Sequence, residues 1–338
     1  MESTVRKAAA STTKKSAVIL GAGNWGTTLA VEFSHCCHVR LWTENESYAD
    51  AIGRYRENRQ FLPGVRLPRS IKVEPKFSSE LHASDWLVMA VPSSQMVPVC
   101  RELKSRIHRG QIVINVSKGV VSDNLKTMSE IIEAGLSDIH LVVLTGPTIA
   151  REVAAGEPAR AVLACQDVAT LLQLRKHLRL PHLSFEMSRD VKGSELCAAL
   201  KGIVAIGVGI AEGLNLHSNI QSVIMTYGLN EFRKIAEFFH IPEKTIYGLP
   251  GMGDLIATCI SPDSRNRRFG KLLGQGVPLH SALKKVGMVV EGVSMAKTIV
   301  ELAHFNLDIP LFKCVSRIIF EAPKDVHKEL TETLKAIN

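Results

Sequence analysis

SAVILGAGNWGTTLAVEFSHCCHVRLWT, residues 16–43, is the stretch that decides the fold. Ala17-Val18-Ile19-Leu20 is an apolar run that stops at Gly21 and reads as a buried strand. From Thr27 to Phe33 the apolar residues fall at helical spacing, and His38 to Thr43 alternates as a strand does. The whole unit is about thirty residues long, as a strand–helix–strand crossover should be. At its centre lies Gly21-Ala22-Gly23-Asn24-Trp25-Gly26. In such a loop the first glycine permits the tight turn, the second lets the backbone touch a pyrophosphate, and the third lets helix and strand pack closely. The helix N-terminus adds unpaired N–H groups and a positive dipole end. Glu44 follows the second strand, roughly 20 residues past the loop, where a carboxylate can accept hydrogen bonds from a ribose 2′-OH. A glycine-rich turn without a ligand is the alternative, and the surrounding strands, helix and carboxylate favour a dinucleotide site.

Working outward, the polar stretch from Glu44 to Arg59 predicts a helix, and Phe61-Leu62-Pro63-Gly64 predicts a turn. Pro68 and Pro75 predict an irregular segment between them. Trp86–Val91, Gln111–Val116 and His140–Leu144 read as buried strands, with helices over Val97–Ile107 and Met128–Ala134. Strands alternating with helices predict a mostly parallel, doubly wound sheet of the Rossmann type. Ala159–Cys165 and Leu183–Met187 extend it at one edge. Ligands of such sheets bind beyond the carboxyl ends of the strands. Four unusual segments stand there: the glycine loop, Pro92-Ser93, Ser117-Lys118-Gly119 and Gly146-Pro147-Thr148. From about Arg189 helical spacing takes over, at 193–212, 220–239, 267–273, 293–307 and 326–336. The expected fold is therefore α/β: an N-terminal Rossmann-type doubly wound sheet followed by an all-helical C-terminal domain. The expected division is a flexible tail over 1–15, a dinucleotide-binding domain over 16–189 and a helical substrate and catalytic domain over 190–338.

The 338 residues suit two domains, and a hydrophobic fraction of 46% is ample for their cores. No segment is expected to span a bilayer, because the longest apolar stretch, Leu196 to Ala211, is interrupted by Lys201. The N-terminus lacks the hydrophobic segment of a secretory signal. Seven cysteines without CxxC spacing read as reduced thiols of a cytoplasmic enzyme, and no cluster has metal-ligand spacing, so no metal is expected. The net charge of +8 includes Arg6, Lys7, Lys14 and Lys15 of the tail; the remainder suits the steering of anionic ligands. Dispersed basic residues and an aromatic content of 5% argue against nucleic acid. A homodimer is the base-rate expectation.

Three clusters beyond the loop could carry chemistry. Lys201 stands in Leu196-Cys197-Ala198-Ala199-Leu200-Lys201-Gly202-Ile203-Val204-Ala205-Ile206, apolar all round a helix. Such a lysine either snorkels to water or is paired and used, and burial makes its amine a credible acid or base. Asp254 follows Gly248-Leu249-Pro250-Gly251-Met252-Gly253. It either caps a helix or pairs with Lys201, with Thr258 one turn along the same face. Ser264-Arg265-Asn266-Arg267-Arg268 is either a solvated basic turn or a phosphate site, for which arginine's planar fork is suited.

Together these segments resemble the NAD(P)-dependent glycerol-3-phosphate dehydrogenase family, the bacterial type in particular. The resemblance is carried by Gly21 to Thr27, Ser117-Lys118-Gly119, Gly146-Pro147-Thr148-Ile149-Ala150-Arg151-Glu152-Val153, Leu200-Lys201-Gly202, Gly251-Met252-Gly253-Asp254-Leu255, Ser264 to Gly270 and Val290-Glu291-Gly292. It implies that Lys201 is the catalytic acid/base, that Lys118 polarises the reacting carbonyl, and that Asp254 and Thr258 support Lys201 and the substrate. It implies substrate contacts at Gly146, Thr148, Ser264, Arg265 and Asn266. Cofactor contacts are implied at Gly21, Gly23, Asn24, Trp25, Gly26, Glu44, Lys118, Ala150, Arg265, Val289 and Glu291. One departure stands out: the family commonly has asparagine directly after the lysine, where this chain has Gly202, so one polar substrate contact is missing or replaced.

The reaction so implied is reversible hydride transfer between NAD(P)H and dihydroxyacetone phosphate, giving sn-glycerol 3-phosphate, a glycerophospholipid precursor. Glu44 favours NAD, while Arg40 and Arg54 nearby keep NADP open. Two other readings stay open: a related two-domain reductase of another small oxo-compound, which would not need Arg265, and a non-catalytic nucleotide sensor, which would not need Lys201 or Asp254.

Overall fold

The computed structural model describes residues 14–76, 81–121, 126–301 and 307–337. Residues 1–13 of the expected tail and residues 302–306 of the expected helix 293–307 lie outside the described residues. The strands are β1 (Lys15–Leu20), β2 (Cys37–Trp42), β3 (Glu57–Asn58), β4 (Leu62–Arg66), β5 (Lys72–Glu74) and β6 (Trp86–Met89). They continue as β7 (Ile112–Asn115), β8 (Val120–Val121), β9 (Lys126–Thr127), β10 (His140–Thr145), β11 (Ala159–Ala164) and β12 (Leu183–Ser188). Eight form one sheet in the order β12-β11-β10-β7-β6-β1-β2-β5. Every pair in it is parallel except β10 with β11. The chain leaves β1 for β2 on one side and returns to β6 on the other, so the topological switch point lies between β1 and β6. Parallel strands covered on both faces must be apolar throughout, and β6 and β7 are buried at every position.

Several expectations need correction. Lys15 is not tail: it opens β1 and pairs with Asp85 at 2.7 Å. The polar stretch 44–59 is helical only over Glu46–Tyr55, then turns at Arg56 (φ 53°) into the β3–β4 hairpin. The expected turn at Phe61–Gly64 falls largely within β4, because Asn58 and Leu62 are buried against the body of the protein. The expected irregular segment contains β5, an edge strand that Pro68 and Pro75 flank without entering. Helices over Leu279–Val286 and Pro310–Phe320 were not anticipated; Pro310 reads as a breaker, yet proline suits a first helical turn.

After β12 the described chain is helical, beginning with the central helix Val191–Gly213. Every residue from Gly193 to Ala211 is buried. The expectation that no segment is long and apolar enough to cross a membrane is wrong for this helix, which passes that test by length and composition. Its apolar surface is spent inside the fold, where neighbouring helices enclose it. Glycines bring one neighbour unusually near. A Cβ on Gly209 would stand 2.1 Å from the Arg267 carbonyl oxygen, and one on Gly270 would stand 2.1 Å from that of Ile206. The central helix and the helix Arg265–Gly274 therefore pack backbone against backbone, which sets Arg265 at a fixed distance from Lys201.

Candidate active site

The glycine loop leaves β1 at the switch point. Gly21 has φ 112°, and a Cβ there would meet the Ala90 carbonyl oxygen, just past β6, at 2.4 Å. A Cβ on Gly26 would stand 2.0 Å from the Gly21 carbonyl oxygen, so only glycine lets the helix Asn24–Ser34 start this close to the strand. A Cβ on Gly23 would meet nothing within 4 Å, so its backbone faces open space. The loop is held from behind. Asn58 Nδ2 donates to the Ala22 carbonyl (2.8 Å) and to Thr27 Oγ1 (2.7 Å), and Tyr48 donates its hydroxyl to Asn58 Oδ1 (2.5 Å). Sequence reasoning missed Asn58 and Tyr48, since a buried asparagine in a charged stretch looks like surface until the hairpin folds over it. An open glycine backbone at a helix N-terminus fits a dinucleotide pyrophosphate.

The loop borders a cleft of about 1050 Å³ between the sheet and the helical region. Gly21, Gly23, Asn24, Trp25, Gly26, Glu44, Lys118, Thr148, Ala150, Lys201, Asp254, Thr258, Ser264, Arg265, Asn266, Val289 and Glu291 all line it. Gly146 is not among the lining residues: at φ 132° it turns the chain after β10, with its missing Cβ 3.2 Å from Ala161 Cα. Pro92, Ser117 and Thr148 bring the other three strand ends to the same cleft.

At the deep end two ammonium groups share one carboxylate. Lys201 is only 6% exposed and Asp254 1%, and the Lys201 Nζ pairs with Asp254 Oδ2. Lys118 Nζ donates to the same oxygen at 3.0 Å, and Thr258 Oγ1 approaches Asp254 Oδ1 at 3.5 Å. Lys201 therefore does not snorkel, and Asp254, first residue of the helix Asp254–Ile260, turns its carboxylate to the lysines. A five-residue π-helical turn, Leu249–Gly253, delivers it, and Gly251 is required there because a Cβ would stand 2.0 Å from the Ile246 carbonyl oxygen.

Burial pushes the Lys201 amine down to about 7; the Lys118 charge adds to this and Asp254 opposes it. For Lys118 burial also disfavours the charge, but Asp254, the contact with Lys201 and Glu291 together outweigh it and hold the ammonium above the usual lysine range. Burial raises the Glu291 carboxyl, against the pull of Arg265 and both lysines.

Arg265 begins its helix behind Ser264, whose hydroxyl accepts the Arg267 N–H at 3.2 Å as a cap. Asn266 Oδ1 accepts the Gly292 N–H at 3.1 Å. The departure at Gly202 has a steric meaning: a Cβ there would stand 2.9 Å from Gly292 Cα and 3.3 Å from Asn266 Nδ2. The central helix and the helix Glu291–Glu301 touch at Gly202 and Gly292, and the Asn266 amide lies beside them.

Comparison with known proteins agrees with this geometry. Residues 16–171 match the N-terminal region of NAD-dependent glycerol-3-phosphate dehydrogenase, and residues 190–330 match its C-terminal region. The chain is 38% identical over 307 residues to glycerol-3-phosphate dehydrogenase (NAD(P)+) of Fusobacterium nucleatum subsp. nucleatum, covering 90% of this chain and 92% of the relative. It is 37% identical over 304 residues to the protein of the same name from Corynebacterium glutamicum strain R, covering 88% and 91%. The crystal structure of glycerol-3-phosphate dehydrogenase from Coxiella burnetii superposes with a TM-score of 0.90 at 31% identity, covering 95% of this chain and 99% of that one. The chain belongs to the NAD-dependent glycerol-3-phosphate dehydrogenase family, and is an NAD(P)-dependent oxidoreductase.

Proposed function

We propose that this chain reduces dihydroxyacetone phosphate to sn-glycerol 3-phosphate, reversibly, using a nicotinamide dinucleotide held at the glycine loop. The observation that carries the reading is the meeting of Lys201 and Lys118 on one buried carboxylate, in the same cleft that Gly23 opens into. The dinucleotide, when bound, supplies hydride to the carbonyl carbon. Lys201, as ammonium, donates a proton to the forming alkoxide, and an amine at about 7 is poised for that role in both directions. Lys118 stays charged and sets positive charge where the oxygen becomes negative, which is worth most away from water. Asp254 holds both amines, and Thr258 orients Asp254. Arg265 and the N-terminus of its helix receive the phosphate, remote from the reacting carbon, so that binding energy there orients the carbonyl.

Glu44 stands exposed at the cleft edge beyond β2, and Arg40 is engaged by Glu74. Both features support NAD over NADP. The sheet region 16–189 and the helical region 190–338 act as separate dinucleotide and substrate domains in this reading. A cytoplasmic homodimer, supplying a glycerophospholipid precursor, completes it. The test is consumption of NADH or NADPH by purified protein with dihydroxyacetone phosphate, followed by absorbance. We expect turnover by the native chain and a loss of about 10³-fold in kcat for Lys201→Ala. No consumption, or a Lys201→Ala enzyme as fast as the native one, overturns the reading.

A further inference from the structure

Behind the Lys118 turn lies a buried carboxylate that the hydride transfer does not use. Glu195, on the central helix six residues before Lys201, is only 4% exposed. Its Oε1 accepts from Asn115 Nδ2 at 2.8 Å and from the Ser129 N–H at 3.1 Å, and its Oε2 accepts from the Ser129 hydroxyl. Burial pushes this carboxyl up, against the pull of those donors.

Asn115 ends β7 and relays the contact to the turn. Its Nδ2 also donates to the Ser117 carbonyl at 3.2 Å, and its Oδ1 accepts the Ser117 N–H at 3.0 Å. The Ser117 hydroxyl is anchored in turn on the carbonyls of Met89 (3.1 Å) and Val91 (2.6 Å). An unbroken chain of hydrogen bonds thus runs from Glu195 to the residue that precedes Lys118. Beside it is a small cavity of about 10 Å³, bordered by Ser117, Lys118, Gly119, Thr145, Glu195 and Ala198 among others. Thr145 is 2% exposed, and its hydroxyl has no hydrogen-bond partner among the described residues. A buried, unpartnered hydroxyl on a cavity of this size, with the Glu195 carboxylate on the same lining, is what a single water satisfies.

We propose that Glu195 is a positioning residue for Lys118: it fixes the Ser117–Gly119 turn through Asn115 and through one water seated beside Thr145. The proposal rests on the dehydrogenase reading of the cleft. Lys118 is then held at both ends by carboxylates of the helical region, its ammonium by Asp254 and its backbone turn by Glu195. A displacement of that ammonium by about 1 Å would be felt in the chemical step rather than in cofactor binding.

The test is a double-mutant cycle on kcat with dihydroxyacetone phosphate and NADH. Glu195→Ala should lose about 10²-fold in kcat with the KM for NADH unchanged. Placed on a Lys118→Ala background, the same change should cost no more than about threefold, because the group it positions is gone. Glu195→Gln, which keeps an acceptor for Asn115, should recover activity to within about fivefold of native. Thr145→Val should cost about threefold, again only while Lys118 is present. If Glu195→Ala does not fold, Asn115→Ala carries the same cycle. Full loss in the absence of Lys118, or a loss expressed in the KM for NADH, overturns the positioning role alone. A native enzyme that does not turn over dihydroxyacetone phosphate overturns the reading of the cleft and the proposal with it.

Discussion

The two ends of the cleft are built from different materials. At the cofactor end the shape is set by backbone: Gly21 and Gly26 leave no room for a Cβ, and neutral groups of Asn58 and Tyr48 hold the loop. At the substrate end the shape is set by charge: Lys201 and Lys118 face one Asp254, and Arg265 and Glu291 line the same cleft. The first end should tolerate changes of pH and charge but not of volume. The second should tolerate small changes of volume but not of charge. In the proposed mechanism the first end is a nucleotide grip that works at any protonation state, and the second a proton donor that must change state each turnover.

The contrast breaks hardest at Asp254. Asp254→Asn barely alters volume, yet takes the shared carboxylate from buried Lys201 and half-buried Lys118, a loss of about 3–5 kcal/mol when one partner of a buried pair is removed. We expect kcat to fall about 10³-fold while cofactor affinity, read by fluorescence titration, holds within about threefold. A parallel loss in cofactor binding would mean that the two ends are not independent.

Gly26→Ala is the converse experiment. The added methyl would stand 2.0 Å from the Gly21 carbonyl oxygen, so the helix must back away from the loop. Cofactor Kd should rise by about 10²-fold, and kcat at saturating cofactor should change much less. Next in size is Arg265→Ala, which would remove the proposed charged phosphate contact, of about 1.5–3 kcal/mol. It should raise the KM for dihydroxyacetone phosphate about thirtyfold, and should leave the KM for an unphosphorylated ketone unchanged.

The legibility of the two ends in the sequence follows the same division. The cofactor end is local: a buried parallel strand is a continuous apolar run, and the glycines sit between strand and helix within one short segment, so β1, β6, β7 and β10 can all be recognised. The β3–β4 hairpin could not, because its buried positions include Asn58 and its second strand carries a proline and a glycine that mimic loop. At the substrate end Lys201 announces itself as a charge in an apolar helix. Its pairing with Asp254 and Lys118 is a tertiary fact, joining residues 136 positions apart in the case of Lys118. Glu195 and Asn115 are invisible for the same reason, and Gly146, where the family resemblance implies a substrate contact, packs on Ala161 outside the cleft lining.

The smallest effect is the sharpest on sign, and it concerns pH. The groups facing the Lys201 amine are Asp254, Lys118 and Glu291. Burial, helped by Lys118, brings the amine down from 10.5 to about 7. Ketone reduction needs the ammonium, so its kcat/KM should be level below about 7 and fall about tenfold for each unit above. Alcohol oxidation needs the neutral amine, so its kcat/KM should rise up to about 7 and then level off. Substrate phosphate loses its second proton near about 6, so it disturbs the acid limb and leaves the alkaline one clean. Lys118→Met removes the neighbouring positive charge, and the alkaline fall of the residual reduction should then move to higher pH. The cofactor Kd should stay flat across the same range, since backbone N–H groups do not titrate. A Kd that follows the same limb as kcat/KM would erase the division between the two ends.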